Sequence, residues 1–480
     1  MPEEPKPETK QEQKRALTED QPVVTKHQLK LGKDVLKYTV TTGMLPLKTE
    51  YGEHEANVFF MAYTKDGARG RRPLMFSFNG GPGSASLWLH LGALGPKRVK
   101  LQEDGMMPPP PYNLVDNPHT WLTDTDIVFL DPVGTGYSRP CDKEKGKKFW
   151  GVKGDIESIG EVIRLYLTRY ERWDSPLFLV GESYGTTRAA GLAGYLIDRG
   201  IAFNGIVLVS SILNFLTARF IKGNDLPFVL FLPTYCATAH YHGKIKGDLS
   251  KLLRECEEFC GGEYPLMLAK GDGLTKSEAE KLISNVCKFT GLSKEFVRNC
   301  NMRVNIHQFC KELCRDEHRT VGRLDSRFKG VDALAVGDIP EHDPSMSAIR
   351  PPYTSMMNDY VRSVLDYKTD LNYNVLGEGI EEPWDWGNAR DGYPDTSESL
   401  RAAFAKNPHM RVFVASGYYD LATPYFATEY TLKHMGLDAA VRDRIQTEYY
   451  EAGHMMYVHT KCLAQLKKHV SGFITKSVGK

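Results

Sequence analysis

A strand-like run, Leu177-Phe178-Leu179-Val180, passes directly into Gly181-Glu182-Ser183-Tyr184-Gly185 and then into a segment of helical periodicity. A strand that becomes a helix within so few residues leaves no room for side chains on either side of the kink, hence the two glycines. The serine between them is held in a strained backbone with its hydroxyl exposed, which makes Ser183 the candidate nucleophile. Downstream, Ala189, Leu192, Ala193, Leu196 and Ile197 recur at helical spacing, and Gly200 follows Asp198 and Arg199 as a C-cap. A short glycine-containing pattern is weak alone, and the plain reading is an ordinary strand-to-helix turn. The order of strand, turn and helix favours the chemical one.

The remaining pattern supplies a sheet around this junction. Strand-like runs fall at 36–42, 57–63, 74–78, 127–130, 206–209 and 412–415. Residues 155–173 place Ile156, Ile159, Ile163, Tyr166 and Tyr170 on one helical face, as a crossover between the runs at 127 and 177 requires. Alternating strands and helices predict a largely parallel sheet fronted by an antiparallel hairpin. From 216 to 384 the pattern changes to charged amphipathic helices without a convincing buried strand, one of them opened by the capping box Thr275-Lys276-Ser277-Glu278. The organisation expected is therefore a disordered tail over 1–25, an α/β core over 26–215, a helical lid or cap over 216–384, and the rest of the core over 385–480.

Charge and hydropathy exclude several partners. A formal charge of +1 gives no global attraction to nucleic acid or to an anionic membrane. No stretch reaches the roughly 20 apolar residues that span a bilayer. The polar start carries no signal-peptide core and the chain has no Asn-x-Ser/Thr site, which predicts a soluble cytoplasmic protein as written, or a periplasmic or secreted one if the natural start lies elsewhere. Six of the nine cysteines lie between Cys256 and Cys314, with Cys256/Cys260 and Cys310/Cys314 one helical turn apart. Disulfide-stapled helices, buried reduced thiols and a zinc site all remain open for this cluster. Cys141, Cys236 and Cys462 read as small core hydrophobes.

A serine hydroxyl needs a histidine to take its proton, and that imidazole needs a carboxylate to fix its tautomer. On sheets of this kind the two follow the serine in the order acid, then histidine, on loops after strands. Asp420 follows the apolar run Val412-Phe413-Val414-Ala415 through a short turn, and His454 follows the run 445–450 through Glu451-Ala452-Gly453. His459 is the rival base, but it lies toward the final helix and has no glycine beside it. An oxyanion requires two backbone donors, one from the residue after the nucleophile, Tyr184, and one from a glycine loop after an earlier strand. Asn79-Gly80-Gly81-Pro82-Gly83-Ser84 is that loop, and it lacks the lysine of a phosphate-binding alternative.

Together these motifs resemble the serine carboxypeptidases, peptidase family S10, which have the α/β-hydrolase fold: a mixed, mostly parallel sheet flanked by helices, with a helical lid or cap insertion. The glycine loop is similar to the family's N-G-G-P-G-C/S, residues 181–185 to its G-E-S-Y-A/G, and Gly453-His454-Met455 to its G-H-M. Asp131-Pro132-Val133-Gly134-Thr135-Gly136-Tyr137-Ser138 resembles its D-Q-P-V-G-T-G-F/Y-S without the Gln. The resemblance implies release of C-terminal residues from peptides through an acyl-enzyme on Ser183, with His454 as base then acid, Asp420 orienting it, and Gly81 and Tyr184 as the oxyanion hole. It also implies that Asn79 and Glu182 bind the substrate's terminal carboxylate, sharing a proton with it because two like charges cannot both stay ionised at that distance. The family's second glutamate, fourteen residues after the Asn, is Ala93 here, and the Trp two before the Asn is Ser77. No metal or organic cofactor is required, and the expected partner is a peptide or small acyl substrate. A serine esterase or acyltransferase of the same fold, and a non-catalytic binding protein on that scaffold, are the competing readings.

Overall fold

The computed structural model describes residues 21–68, 71–387 and 393–479. Three long antiparallel strands, β1 (Val23–Leu31), β2 (Asp34–Lys48) and β3 (His54–Lys65), form one wing of the sheet. Six shorter, more apolar strands form the other: β4 (Leu74–Phe78), β5 (Asp126–Leu130), β6 (Leu177–Ser183), β7 (Gly205–Ser211), β8 (Arg411–Gly417) and β9 (Ile445–Tyr450). The order is β1-β2-β3-β5-β4-β6-β7-β8-β9, antiparallel as far as β5 and parallel from there to β9, with the two-residue strand Arg139–Pro140 pairing beside β3. Strands buried on both faces read as continuous apolar runs, and β4 and β5 have every residue buried.

The expected tail must be shortened. Residues 23–25 belong to β1, with Val23, Val24 and Thr25 opposite Thr42, Thr41 and Val40, and the remainder to residue 20 lies outside the described residues. Polar Lys26, Gln28 and Lys30 on the open face of β1 dilute its apolar signal. The crossover helix α1 runs over Val152–Arg169, so Trp173 lies beyond it and half exposed. Helix α2 (Tyr184–Ile197) leaves β6 without an intervening loop.

Apolar clusters cover both faces of the sheet, one including α1 and α2. A third gathers residues between Val229 and Val321, with helix α3 (Leu226–Tyr241) at its centre, and reaches Tyr419 and Leu421 beside Asp420. A two-residue hairpin, Thr320–Val321 with Lys329–Gly330, interrupts this otherwise helical stretch. Helix α4 (Pro344–Asp359) instead packs into a cluster of the main sheet through Ile349, Tyr353 and Met357. The chain after it bridges the loops that carry the sequence motifs, at Ser84↔Leu376 and Gly136↔Asn374.

All nine cysteines are free thiols, with Cys256, Cys260, Cys310 and Cys314 buried, so the stapled-helix reading gives way to reduced core thiols. Burial pushes the Cys314 thiol up to about 11. Among the described residues no group of three or more His, Cys, Asp or Glu side chains could hold a metal ion, and no helix is long and apolar enough to cross a membrane.

Candidate active site

Ser183 closes β6 with φ 60° and ψ −130°, a conformation costing about 1–3 kcal/mol that only dense surroundings sustain. Those surroundings are backbone. A Cβ on Gly185 would lie 2.9 Å from the carbonyl oxygens of Phe78 and Asn79, and one on Gly80 would lie 2.5 Å from the Tyr184 amide nitrogen. The glycine loop and the kink are thus packed main chain against main chain. Gly81, at φ +99°, occupies backbone space that favours glycine.

A buried ion pair fastens the two together. Arg188, one turn into α2, donates through Nε to Asp155 Oδ2 at 2.8 Å and through Nη1 to the Asn79 carbonyl at 2.7 Å, and the Tyr184 hydroxyl donates to the same Asp155 oxygen at 3.1 Å. Removing one member of a buried pair leaves the other unpaired, which generally costs about 3–5 kcal/mol. The Asp131–Ser138 motif braces the far side of the loop. Asp131 Oδ1 accepts from the amide and hydroxyl of Ser86, both at 2.7 Å, and Ser138 Oγ donates to the Asp131 carbonyl at 2.5 Å.

Asp420 and His454, on loops after β8 and β9, meet in a buried hydrogen bond of 2.8 Å between Oδ2 and Nδ1. Asp420 Oδ1 accepts from the amides of Ala422 and Thr423 at 2.8 and 3.0 Å, and Oδ2 also accepts from the Thr423 hydroxyl at 2.7 Å. Burial acts against a charged imidazole, yet the Asp420 carboxylate outweighs it, with help from Glu182, and holds His454 above the usual histidine value. The His454 carbonyl accepts from Ser210 Oγ at 2.6 Å, and Ser211 pairs in register with Ser183, so the imidazole loop hangs beside the kink. Residues 323–326 lock both loops. The His454 amide donates to the Leu324 carbonyl at 2.7 Å, Gly453 to Asp325 Oδ2 at 3.0 Å, and Leu421 to the Arg323 carbonyl at 3.0 Å. A Cβ on Gly453 would lie 2.5 Å from that of Asp325, which is why a glycine precedes His454. His459 stands instead at the N-cap of helix α5 (Thr460–Ser477), and burial lowers its proton affinity.

Glu182 is buried beneath the kink. Burial pushes its carboxyl up to about 7, against the opposing pull of His454 and of a hydrogen bond from Tyr457, while Asp420 adds to the rise and Asn79 opposes it. The Tyr457 hydroxyl donates to Glu182 Oε2 at 2.5 Å. Asn79 Oδ1 accepts from the Leu89 amide at 3.1 Å. Its buried Nδ2 completes no hydrogen bond of good geometry among the described residues, although it faces the Glu182 carboxyl and the Tyr457 hydroxyl closely enough to lower the proton affinity of both. Ala93 is buried in the turn His90–Leu94 and brings no second carboxyl. Tyr457, Thr423, Ser210 and Asp325 escape sequence reasoning. Only Tyr457 carries a local signal, three residues after His454 on the same turn.

A mixed sheet, parallel through β4–β9, with a strained serine between its sixth strand and the following helix, defines an α/β-hydrolase. The family model for serine carboxypeptidases matches residues 34–477, and the chain belongs to that family. Among relatives, the pheromone-processing carboxypeptidase KEX1 of Saccharomyces cerevisiae (strain JAY291) is 32% identical over 158 residues, 30% of this chain and 20% of that protein. Serine carboxypeptidase-like 36 of Arabidopsis thaliana is 32% identical over 148 residues, 30% of this chain and 29% of that protein. Serine carboxypeptidase S10 family member 1 of Dictyostelium discoideum is 24% identical over 355 residues, 71% of this chain and 76% of that protein. The matched stretch thus spans less than a third of the first two relatives.

Proposed function

We propose that the chain is a serine-type carboxypeptidase that removes C-terminal residues from peptides. Ser183 Oγ attacks the last peptide carbonyl while His454 takes its proton, with Asp420 holding the imidazole tautomer. The oxyanion forms against the amides of Gly81 and Tyr184, at the mouth where Gly80 packs on the Tyr184 nitrogen. His454 then protonates the departing amine, which leaves as the free amino acid. Water, deprotonated by the same imidazole, hydrolyses the acyl-enzyme.

One observation favours a peptidase over an esterase or acyltransferase of the same fold: a buried, protonatable carboxyl immediately before the nucleophile, beside the unsatisfied Asn79 amide. A protonated Glu182 donates to a substrate's terminal carboxylate, and Asn79 Nδ2 supplies a second donor. Ionised, Glu182 repels that carboxylate. The sign follows from the raised value. Selection for a free C-terminus is full below pH 7 and lost as pH rises through it.

The test compares an N-blocked dipeptide with its C-terminal amide and a simple ester across pH. The kcat/KM of the free acid, relative to the amide, falls roughly 15-fold between pH 7 and 8.5, as one deprotonation near 7 requires. Ester turnover without peptide turnover would favour the esterase reading, and binding without any turnover the non-catalytic one. In Glu182→Gln the side chain donates at every pH, so the alkaline decline of the ratio disappears. Its lost negative charge also shifts the acid limb of ester hydrolysis to lower pH, because Glu182 helps to raise His454. An unchanged profile with unchanged selectivity would reduce Glu182 to a structural role.

A further inference from the structure

The Glu182 carboxyl has a partner that neither the motifs nor the proposed chemistry accounts for. Tyr457 is 2% exposed and Glu182 3% exposed, so no water replaces their contact. The hydroxyl donates to Oε2 at 2.5 Å, and the Asn79 side chain faces the same carboxyl. The tyrosine ring fills the space over the turn that holds Ala93. A Cβ on the neighbouring Gly92 would collide with the Tyr457 ring and lie 2.7 Å from the Tyr353 hydroxyl. Burial, reinforced by the charge of Glu182, raises the Tyr457 phenol far above its ordinary value, so it remains a donor throughout the working range.

We propose that Tyr457 is a specificity-determining residue: by occupying Glu182 Oε2 it turns Oε1, with its proton, toward the substrate's terminal carboxylate beside Asn79 Nδ2. The inference rests on the carboxypeptidase reading above and assigns a further member of its carboxylate subsite. A single glutamate flanked by a neutral phenol has one proton and one free edge. A glutamate without that phenol could turn either oxygen toward the ligand, and would lose part of its binding to the disorder of that choice. The groups facing Glu182 are His454 and Asp420 from the two loops, Tyr457 from the turn Met456–Val458, Asn79 from the glycine loop and Tyr353 from α4. Of these, Tyr457 donates directly to a Glu182 oxygen at 2.5 Å.

Tyr457→Phe removes the hydroxyl and keeps the ring over Gly92. The kcat/KM ratio of the blocked dipeptide acid to its amide, measured on one preparation so that any loss of folded protein cancels, is expected to fall roughly tenfold or more, chiefly through KM of the acid. Because the hydrogen bond favours the charged carboxyl, its removal also moves the alkaline limb of that ratio up by about one pH unit. A parent that prefers the acid, with a variant that keeps both the ratio and the limb, would overturn this inference alone. A parent with no preference for the acid would overturn the carboxypeptidase reading and this subsite with it.

Discussion

Ser183→Ala is expected to lose at least about 10⁴-fold in kcat on ester and peptide alike while remaining folded. The loss is that of the bond-forming atom itself. Oxyanion donors and substrate binding persist without it and account for whatever acceleration over water survives. Little else should change, because alanine fits the same space and inherits the same φ of 60°. The strain at the kink is imposed by Gly181, Gly185 and Gly80 meeting main chain, and not by the serine side chain. Denaturant unfolding should therefore place the variant within about 1 kcal/mol of the parent. Labelling with a fluorophosphonate, followed by mapping of the adduct, should mark Ser183 in the parent and leave the variant unmodified. Steady-state hydrolysis within a hundredfold of the parent would remove Ser183 from the mechanism.

What could be read from the chain depended on whether the cause was local. Strands β4 and β9 coincide with the runs at 74–78 and 445–450, because each is a short run of strand-forming residues bounded by turn residues. The candidate acid and base were readable for the same reason, since each follows such a run through a short loop. β1 escaped because alternating lysines mask a strand buried on one face only. The assignment of helices after residue 343 was also beyond sequence, because periodicity states that a helix has an apolar face and never which surface that face meets. Arg188 reads as one more charged residue on a helix until Asp155 and the Asn79 carbonyl, 33 and 109 residues distant in sequence, are brought to it. Tyr457 is a similar case, its partner being 275 residues upstream.

Asp420→Asn is the more searching substitution, because the surroundings dictate how the amide must sit. Two main-chain N–H groups, of Ala422 and Thr423, point at Oδ1 and cannot become acceptors, so the asparagine oxygen is held at that position. Its NH₂ then occupies the Oδ2 position and faces His454 Nδ1 and the Thr423 hydroxyl. The hydroxyl can rotate to accept. The imidazole can oblige only by placing its proton on Nε2, the atom that should receive the proton of Ser183. The expected loss in kcat is of order 10⁴-fold, with the fold retained and KM little altered. Removal of the carboxylate also takes away the main influence that raises His454, so the acid limb of the residual activity moves to lower pH than in the parent. Steady-state kinetics on the ester from pH 4 to 9 read both effects. A variant within tenfold of the parent, with its acid limb unmoved, would mean that Asp420 does not set the tautomer of His454, and the assignment of acid and base would have to be rebuilt.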